Sequence, residues 1–340
     1  MIADVVVDLQ YGDCGKGKVT HHLCKEGEYT HVVRYNGGCN AGHTIFHNGR
    51  KFVTHHIPAG VFFGIKSVIG SGCVLDIEQF FKEIKQLEDG GIKTDGLIFV
   101  AKNTHIITKA HIQEDQRDKK IGTTKRGNGP AYRDKFDRKG IRAEEIRELE
   151  PYLIDLYEEF YVNSNPNNVK ILFEGAQGFG LDVDWGEYPY VTSSNCITAA
   201  ALMNGVPHQA VRNVWGVAKA YETYVGTRKF QGNDVIFDQI QDIGQEFGAT
   251  TGRKRQVNWM SIKLLKKAAR INGVTHLVVN KMDVLDEVDS WSVYDYKGTC
   301  QGDECKVSFL GKDGFVNHIQ TALKDSHIDN FYFSESAHHI

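Results

Sequence analysis

The chain has 340 residues, of which 41% are hydrophobic and 24% charged, and its formal net charge at pH 7 is −3. This composition is typical of a folded globular protein and excludes fibrous, low-complexity and strongly basic nucleic-acid-coating classes. No run approaches the roughly 20 apolar residues of a membrane span, and no signal-peptide pattern precedes the first strand. We therefore expect a cytoplasmic protein without membrane or nucleic-acid partners, folded as one domain over residues 1–340.

The seven cysteines are an odd number without framework spacing, so they do not predict a set of disulfides. Cys300 and Cys305 offer half of a zinc site, but no second Cys or His pair at ligand spacing follows closely.

The first motif is a glycine-rich segment, residues 12–18, between a short apolar run and a helix-compatible stretch. Gly12, Gly17 and Lys18 match seven positions of G-x-x-x-x-G-K-[ST], the phosphate-binding loop in which backbone amides converge on phosphate oxygens. Val19 replaces the Ser or Thr that normally binds Mg²⁺, and Asp13 is the evident substitute ligand. The alternative is a turn that merely reverses the chain.

A second strand, residues 31–35, leads into the small polar loop 36–44. Because strand carboxyl ends line the ligand crevice of an open α/β sheet, this loop places His43 near the phosphates. A surface-turn histidine is the equal alternative. Residues 44–55 alternate around Asn48-Gly49 and predict a β-hairpin. Further on, the patterns predict a strand over 68–75, a helix over 77–87 and a strand over 97–101.

Residues 121–142 are polar and glycine-rich and contain hydroxyls and many cations, which predicts a long functional loop or a solvated face. Its basic residues and its Thr123 and Thr124 hydroxyls suit a nucleotide monophosphate. A helix over 143–161 is expected next, followed by a strand over 169–173 that ends in a glycine loop. The hydroxyl-rich run 188–195 precedes a short helix. Its side chains cap that helix, bind phosphate, or do both.

The C-terminal part continues the alternation of strands and helices. A strand over 214–218 is followed by the loop 247–255, where Arg253 and Arg255 suit bidentate binding of a carboxylate. A helix is expected over 259–271 and a strand over 277–279. That strand delivers Asn280-Lys281-Met282-Asp283, the N-K-x-D form whose Asp reads guanine in many GTP-binding proteins. A ribbon over 290–310, a helix over 314–324 and a strand over 330–333 complete the chain.

Taken together, these loops resemble the adenylosuccinate synthetase family over nearly the whole chain and in the same order. The matching segments are Gln10 to Lys18, Asn40 to Thr44, Ile121 to Thr124, Gly129 to Tyr132, Glu174 to Gly178, Tyr188 to Asn195, Thr250 to Arg255 and Lys281 to Asp286. The resemblance implies a P-loop-like α/β domain around a mostly parallel central sheet, with helices on both faces and small β-hairpin subregions. It also implies a ligase that joins L-aspartate to C6 of a 6-oxopurine nucleotide, with Mg²⁺ and a nucleoside triphosphate.

The resemblance also implies roles for individual residues. The catalytic residues are Asp13, His43, Lys16 and Gln177. The nucleoside triphosphate is bound by Gly12, Gly15, Lys16, Gly17, Lys18, Gly42, His43, Thr44, Lys281, Asp283 and Ser334. The purine monophosphate is bound by Asp13, Asn40, Ala41, Thr123, Thr124, Arg138, Gln177, Thr192, Val225 and Arg253. Aspartate is bound by Thr250, Thr251, Arg253 and Arg255, and Mg²⁺ by Asp13 and the Gly42 carbonyl. Arg138 matches an arginine that reaches in from the other subunit of a homodimer.

The chain departs from the family in the walls around the two bases. Cys14 replaces a usual Glu and Cys39 a usual His. Residues 225–230 stand in place of Val-Gly-Ala-Gly-Pro-Phe, and residues 334–336 replace the Ser-Thr-Gly-Pro segment. This pattern is most similar to the short phage branch of the family, which acts on dGMP and makes a diaminopurine DNA precursor. We therefore favour dGMP, with ATP, dATP or GTP as donor, and hypothesise that losing the longer Glu at Cys14 admits the 2-amino group. A phage-encoded enzyme would work in the host cytoplasm.

Three alternatives stay open at this point. The first is ordinary adenylosuccinate synthesis from IMP with GTP. The second is a P-loop GTPase switch, suggested by residues 12–18 and 280–283 and opposed by Val19. The third is a non-catalytic nucleotide-binding module, which is opposed by the intact Asp13 and His43.

Overall fold

The computed structural model describes residues 1–40, 42–118, 121–248, 252–295, 305–336 and 340. Ala41, Thr250, Thr251 and Cys300, to which the sequence assigned roles, lie outside these residues.

Strands and helices alternate along the chain, as the sequence predicts. The strands are β1 (Ile2–Asp8), β2 (His31–Arg34), β3 (His43–His47), β4 (Arg50–Thr54), β5 (Lys66–Ile69), β6 (Val74–Leu75), β7 (Ile98–Ala101), β8 (His105–Ile106), β9 (Leu153–Ile154), β10 (Lys170–Glu174), β11 (Val211–Lys219), β12 (Tyr221–Tyr224), β13 (Gln256–Ser261), β14 (His276–Asn280), β15 (Trp291–Asp295), β16 (Cys305–Phe309) and β17 (Asn330–Phe333). The α-helices are α1 (Lys16–Glu26), α2 (Ile77–Asp89), α3 (Lys109–Gln116), α4 (Asn128–Phe136), α5 (Thr198–Leu202), α6 (Ile236–Ile243), α7 (Ile262–Asn272), α8 (Met282–Glu287) and α9 (Lys312–Leu323).

The centre of the fold is a nine-stranded sheet in the order β17-β14-β11-β1-β10-β2-β5-β7-β9. Every pairing described between its neighbours is parallel. The strand before the glycine-rich loop, β1, lies between β10 and β11, so the loops after all three strands leave the same edge. In a parallel sheet that edge is the ligand crevice.

Helices cover both faces of this sheet. Successive residues of β1 point to opposite sides, and both sets are buried. Val6 packs with Val19 and Leu23 of α1 in one buried cluster. Val5 and Val7 pack in a second cluster that also contains residues of α7. The strand is buried on both faces, which explains its uninterrupted apolar sequence. The predicted α/β fold class is confirmed.

Smaller sheets lie beside the central one. The predicted hairpin is confirmed as β3 and β4, which pair antiparallel around Asn48 and Gly49. Both turn residues have positive φ, 48° and 75°, as a type I′ turn requires. A four-stranded sheet joins β12, β13, β15 and β16. Its last two strands are the predicted ribbon over 290–310. Within the described ranges, no helix is long and apolar enough to cross a bilayer.

Four predicted elements differ from the structure. Residues 68–75 form two strands, β5 and β6, because the chain turns between them at Gly70 and Gly72. The stretch 143–161 is not one helix: it contains two 3₁₀ segments, the short strand β9 and a π-helical turn over Glu158–Val162. Pro151, inside the second 3₁₀ segment, has no amide hydrogen with which to continue an α-helix.

The other two differences lie close to the cavity described below. The loop 121–142 contains the helix α4, which begins after Gly127, at φ 81°. The helix expected over 259–271 begins only at Ile262, because residues 256–261 pair as β13. There the Ser261 side chain accepts from the Leu264 amide and caps the helix.

Candidate active site

A cavity of about 320 Å³ opens at the carboxyl edge of the central sheet. It brings together most of the residues that the sequence assigned to the site. Those that line it are Gly12, Asp13, Gly15, Lys16, Gly17, Asn40, Gly42, His43, Thr44, Thr123, Thr124, Gln177, Thr192, Val225, Arg253 and Arg255. Segments more than 200 residues apart in sequence therefore share one space.

The glycine-rich loop is held by the last residue of β1, Asp8. Its buried carboxylate accepts hydrogen bonds from the backbone amides of Gln10, Gly12 and Cys14, at 3.0, 3.2 and 3.0 Å. The Lys16 ammonium lies 3.1 Å from the same carboxylate and also donates to the Gln177 carbonyl. These bonds fix the loop before any ligand binds, which reduces the ordering cost of binding.

The asparagine of the N-K-x-D motif supports this loop from the other side. Asn280 Nδ2 donates to the Cys14 carbonyl at 2.7 Å. A Cβ on Gly15 would lie 2.8 Å from that nitrogen, so only glycine fits there, and the φ of Gly15 is 99°. Asn280 thus binds the phosphate loop, and the Lys281 ammonium donates to the Gly244 carbonyl at 3.0 Å.

Asp13 extends into the cavity from a left-handed backbone position, φ 59°. Its Oδ2 is 3.0 Å from Arg255 Nε and 2.8 Å from an Arg255 terminal nitrogen. Arg255 also pairs with the buried Glu246, which accepts from Lys219 at 2.8 and 2.9 Å. Burial alone would raise the pKa of Glu246, but Lys219 and Arg255 lower it to about 2. A chain of alternating charges therefore runs from the cavity into the core.

His43, on β3, is held by two buried charged groups. Its Nδ1 hydrogen-bonds to Glu174, and its Nε2 lies 3.0 Å from Arg34. An arginine only donates, so Nε2 accepts and Nδ1 carries the hydrogen that is donated to Glu174. Burial, followed by the charge of Arg34, lowers the pKa of His43 to about 4. The imidazole is neutral at pH 7 with a defined tautomer.

Part of the cavity wall is polar. Loops 121–124 and 192–193 and the first turn of α4 bring hydroxyl and amide groups together there. Asn128, the first residue of α4, is only 6% exposed, yet neither polar atom of its side chain has a partner among the described residues. Nearby, Gln177 Nε2 donates to Asn40 at 2.9 Å, while Gln177 Oε1 has no described partner. At the wall of a cavity, such atoms are available to bind the polar groups of a ligand.

Other residues of the lining are apolar or aromatic. They are Tyr11, Leu181, Tyr190, Val191, Tyr224 and Val225. Of these, only Val225 was assigned to the site. A purine ring has apolar faces that pack well on such a surface.

Four residues assigned to the triphosphate do not line this cavity: Lys18, Lys281, Asp283 and Ser334. The Lys18 ammonium donates to Ser334 Oγ at 2.7 Å and to the Ser336 carbonyl at 3.0 Å. Burial lowers the pKa of Lys18 to about 8, and the charge of Asp283 opposes that shift. This second polar cluster lies where α1 meets the C-terminal segment.

Arg138 also lies outside the cavity of its own chain. It is exposed just after α4, at φ 63°. A neighbouring cleft is lined by Phe136, Tyr188 and Met203, which are 73%, 80% and 72% exposed.

Cys14 does not behave as hypothesised. It is buried, its Sγ donates to Gln10 Oε1 at 3.1 Å, and it does not line the cavity. Burial raises the pKa of its thiol well above the usual value. The idea that Cys14 opens room for a 2-amino group is therefore wrong, because the side chain points into the loop's support.

The described residues contain no cluster of three or more His, Cys, Asp or Glu side chains that could hold a metal ion. A Mg²⁺ ion that binds with a nucleotide needs only one or two protein oxygens besides phosphates and water. Asp13 and Gly42 both line the cavity and fit that requirement. Val19 is fully buried and offers no oxygen from its side chain. The zinc alternative fails at Cys305, which is disulfide-bonded.

Comparisons with known proteins agree with this geometry. The family model for adenylosuccinate synthetase matches residues 5–151 and 144–310. The adenylosuccinate synthetase of Geobacillus sp. (strain WCH70) is 38% identical over 88% of this chain and 82% of its own length. That of Chlorobium phaeobacteroides is 40% identical over 86% of this chain and 79% of its own.

Two solved structures share the fold. Fully ligated adenylosuccinate synthetase from Plasmodium falciparum superposes with a TM-score of 0.85 at 25% identity, covering 98% of this chain and 97% of its own. The succinoaminodeoxyadenylate synthetase of cyanophage S-2L, bound to dGMP and dATP, gives a TM-score of 0.77 at 21% identity, covering 99% and 93%. The chain belongs to the adenylosuccinate synthetase family and is a C–N ligase that joins aspartate to a purine nucleotide at the expense of a nucleoside triphosphate.

Proposed function

We propose that the favoured purine substrate is dGMP and that the product is 2-amino-2′-deoxy-N6-succinyladenylate. The observation that carries this proposal is the distribution of departures from the family pattern. The candidate catalytic residues Asp13, His43, Lys16 and Gln177 share one cavity and match the family pattern. The departures lie in residues 225–230, of which Val225 lines that cavity, and in residues 334–336, which contact Lys18 outside it. Such a distribution favours a changed substrate over a lost activity.

The cavity suggests how the purine nucleotide lies. The base packs against the aromatic lining residues Tyr11 and Tyr224, and the 5′-phosphate lies among the polar lining residues. There the hydroxyls of Thr124 and Thr192 and the unpartnered amide of Asn128 donate to its oxygens. Asn128 is an addition to the residues that the family resemblance supplied.

The reaction then follows from the groups around the base. Asp13 takes the proton from purine N1 while O6 attacks the γ-phosphate, so the O6–P bond forms and the nucleoside diphosphate leaves. To stabilise the phosphoryl group, His43 releases Arg34 and donates from Nε2 as an imidazolium, whose charge the Glu174 carboxylate at Nδ1 stabilises, and Lys16 adds positive charge. The amine of aspartate next attacks C6, the C6–O bond breaks and phosphate leaves. Guanine offers the same N1–H and O6 as hypoxanthine, so the steps carry over to dGMP.

Arg253 and Arg255 are placed to hold the aspartate substrate. Arg255 lies against Asp13. Arg253 donates at 3.2 Å to the carbonyl of Thr123, a residue that lines the cavity. Thr250 and Thr251, outside the described residues, complete this group in the proposal.

Mg²⁺ would be held by Asp13 and the Gly42 carbonyl and would neutralise charge on the phosphates when bound. The donor is ATP, dATP or GTP. Asp283 supports GTP, because its carboxylate could accept from guanine, whereas the changed residues 334–336 beside Lys18 support another base.

We further propose a cytoplasmic homodimer, working in the host cytoplasm if the gene is a phage's, in which Arg138 reaches the partner's cavity. In its own chain Arg138 is exposed and away from the cavity, beside the cleft with the exposed Phe136, Tyr188 and Met203. An exposed apolar group of this kind is typical of an interface.

The cyanophage S-2L structure supports the substrate proposal in one respect: a protein of this fold binds dGMP with dATP as energy donor. The canonical relatives at 36–40% identity support the alternative, adenylosuccinate synthesis from IMP with GTP. Membership of a ligase family favours either reaction over a GTPase switch.

Product analysis by mass spectrometry distinguishes these reactions. Purified protein receives L-aspartate and Mg²⁺ with dGMP or IMP, each with ATP or GTP. The proposal predicts a succinylated product from dGMP and little from IMP, and the productive tubes identify the donor. Product from IMP alone would refute the dGMP proposal. Triphosphate consumption without aspartate and without succinylated product would favour the GTPase.

A further inference from the structure

Arg228 is surrounded by four aromatic side chains, three of which line the cavity. Its guanidinium carbon lies 5.0 Å from the ring centre of Tyr224 and 5.6 Å from that of Tyr11. The rings of Phe230 and Tyr190 follow at 5.4 and 5.9 Å. All four distances are within the range of cation–π attraction.

An ion pair completes the enclosure. Arg228 pairs with Glu187, and the Tyr11 hydroxyl donates to the same carboxylate. Tyr11 is therefore held at its ring by the cation and at its hydroxyl by the anion. The side chain of Arg228 is 20% exposed, and its Nε–H, which is buried, has no acceptor among the described residues. Its position is thus set by the rings and Glu187.

The backbone that carries Arg228 is also fixed. Gln256 Nε2 donates to the Arg228 carbonyl at 2.7 Å, and Gln256 Oε1 accepts from the Phe230 amide at 2.7 Å. Thr227, the preceding residue, donates to the Ile121 carbonyl at 3.3 Å, which joins this segment to the loop 121–124 of the cavity wall. The guanidinium is held by its environment and by its own chain.

Arg228 acts on the cavity through the rings. Tyr11, Tyr190 and Tyr224 line the cavity, whereas Arg228 and Glu187 do not. A cation behind three rings fixes their tilt, and so the width and shape of the surface against which a purine lies. In the family pattern Val-Gly-Ala-Gly-Pro-Phe, the residue at the position of Arg228 is glycine, which supplies neither charge nor side chain.

We propose that Arg228 is a positioning residue for purine recognition: it holds the tyrosine wall in the shape that discriminates between purine bases. The proposal rests on the proposed placement of the base against the aromatic lining residues, and it extends the proposed choice of dGMP. It concerns the purine subsite alone, so aspartate and triphosphate binding should not depend on Arg228.

The test compares kcat/KM for dGMP and dIMP, which differ only in the 2-amino group, at saturating aspartate and donor. In Arg228→Met, which keeps the length but not the charge, the dGMP to dIMP ratio should fall at least about tenfold. KM for aspartate and for the donor should change less than about twofold. Arg228→Lys, which keeps the charge but not the planar stacking surface, should recover part of the ratio. Lys85→Met, at an exposed lysine of α2 that does not line the cavity, is the matched control and should behave as wild type.

Several outcomes would overturn the proposal. One is an equal loss for dGMP and dIMP, and another is a parallel rise in KM for aspartate. If Arg228→Met does not fold, Glu187→Gln, which removes the anion and leaves the rings, should lower the ratio in the same direction, and an unchanged ratio there refutes the proposal. A wild-type preference for IMP over dGMP would refute the proposed function instead, while the change in the dGMP to dIMP ratio would still test Arg228.

Discussion

Arg255 binds Asp13 through two nitrogens, 3.0 and 2.8 Å from one carboxylate oxygen. The contact joins the loop proposed to bind aspartate to the group proposed to accept the N1 proton. The carboxylates of a bound aspartate would compete for the same guanidinium. Binding of the second substrate would thereby free Asp13, a link that the two loops do not reveal when each is considered alone.

Asp13→Asn should abolish ligase activity without unfolding the protein. Asn cannot accept the N1 proton, so kcat should fall by about 10²–10⁴-fold. Asn also tolerates the left-handed backbone at φ 59°, and the side chain is 35% exposed, so the melting temperature should stay close to that of wild type. Steady-state kinetics and thermal melting measure both. A variant that kept most of its turnover would show that another group takes the proton.

Asn128→Leu should make the protein more stable and weaken the binding of the purine monophosphate. The substitution removes two buried polar atoms without partners, which together cost about 1–3 kcal/mol. It also removes the proposed phosphate donor, so KM for the purine monophosphate should rise about tenfold. Urea unfolding and initial rates test the two effects. Asn317→Leu, an exposed site on α9, is the control, and an unchanged KM at Asn128 would remove this residue from the phosphate site.

The buried histidines should make stability depend on pH between about 6.5 and 4. Burial lowers the pKa of His56 to about 4, and burial with the charge of Arg34 does the same for His43. An unfolded histidine titrates near 6.5, so within this window the unfolded chain binds more protons than the folded one. The free energy of unfolding therefore falls as the pH falls, by at most about 1.4 kcal/mol per pH unit for each histidine.

Urea unfolding at several pH values tests this dependence. His56→Gln, whose carboxamide oxygen can accept from the Asp76 amide as His56 Nε2 does, should show a shallower slope than wild type. The exposed His208→Gln should keep the wild-type slope. Equal slopes for all three proteins would mean that His56 does not titrate as described.

Mixing two inactive variants tests the homodimer. Asp13→Asn lacks the base, and Arg138→Leu lacks the residue proposed to enter the partner's cavity. In a mixed dimer, the cavity that keeps Asp13 also receives Arg138 from the other subunit. Random exchange of subunits should then restore about a quarter of the wild-type sites. Two variants that stay inactive after verified exchange would place Arg138 outside the partner's site.

Much of this arrangement follows from local patterns in the sequence. The apolar strand before the glycine-rich loop and the Asn48-Gly49 turn are short-range signals, and each appears where it is predicted. The strand-end rule then placed Asp13 and His43 at one edge of the sheet, and they share the cavity. The helix predicted over residues 143–161 was wrong. Their composition suits a helix, but Pro151 and the pairing of β9 with β7 prevent one.

The features that the sequence did not indicate depend on contacts between distant segments. Glu174 fixes the tautomer of His43 from 131 positions away. Arg228 meets Tyr11 only after the sheet has formed, and Asn128 becomes unusual only because it is buried without a partner. The Cys14 hypothesis failed for the same reason, since the direction of a side chain in a tight loop depends on the supports around it.

A competition between dGMP and IMP is the most direct test of the proposed substrate. Equal concentrations of the two nucleotides are placed in one tube with limiting L-aspartate, Mg²⁺ and the productive donor, and the two succinylated products are quantified by mass spectrometry. The ratio of products reports the ratio of kcat/KM directly. The proposal predicts that the product from dGMP dominates, and a dominant product from IMP would contradict it.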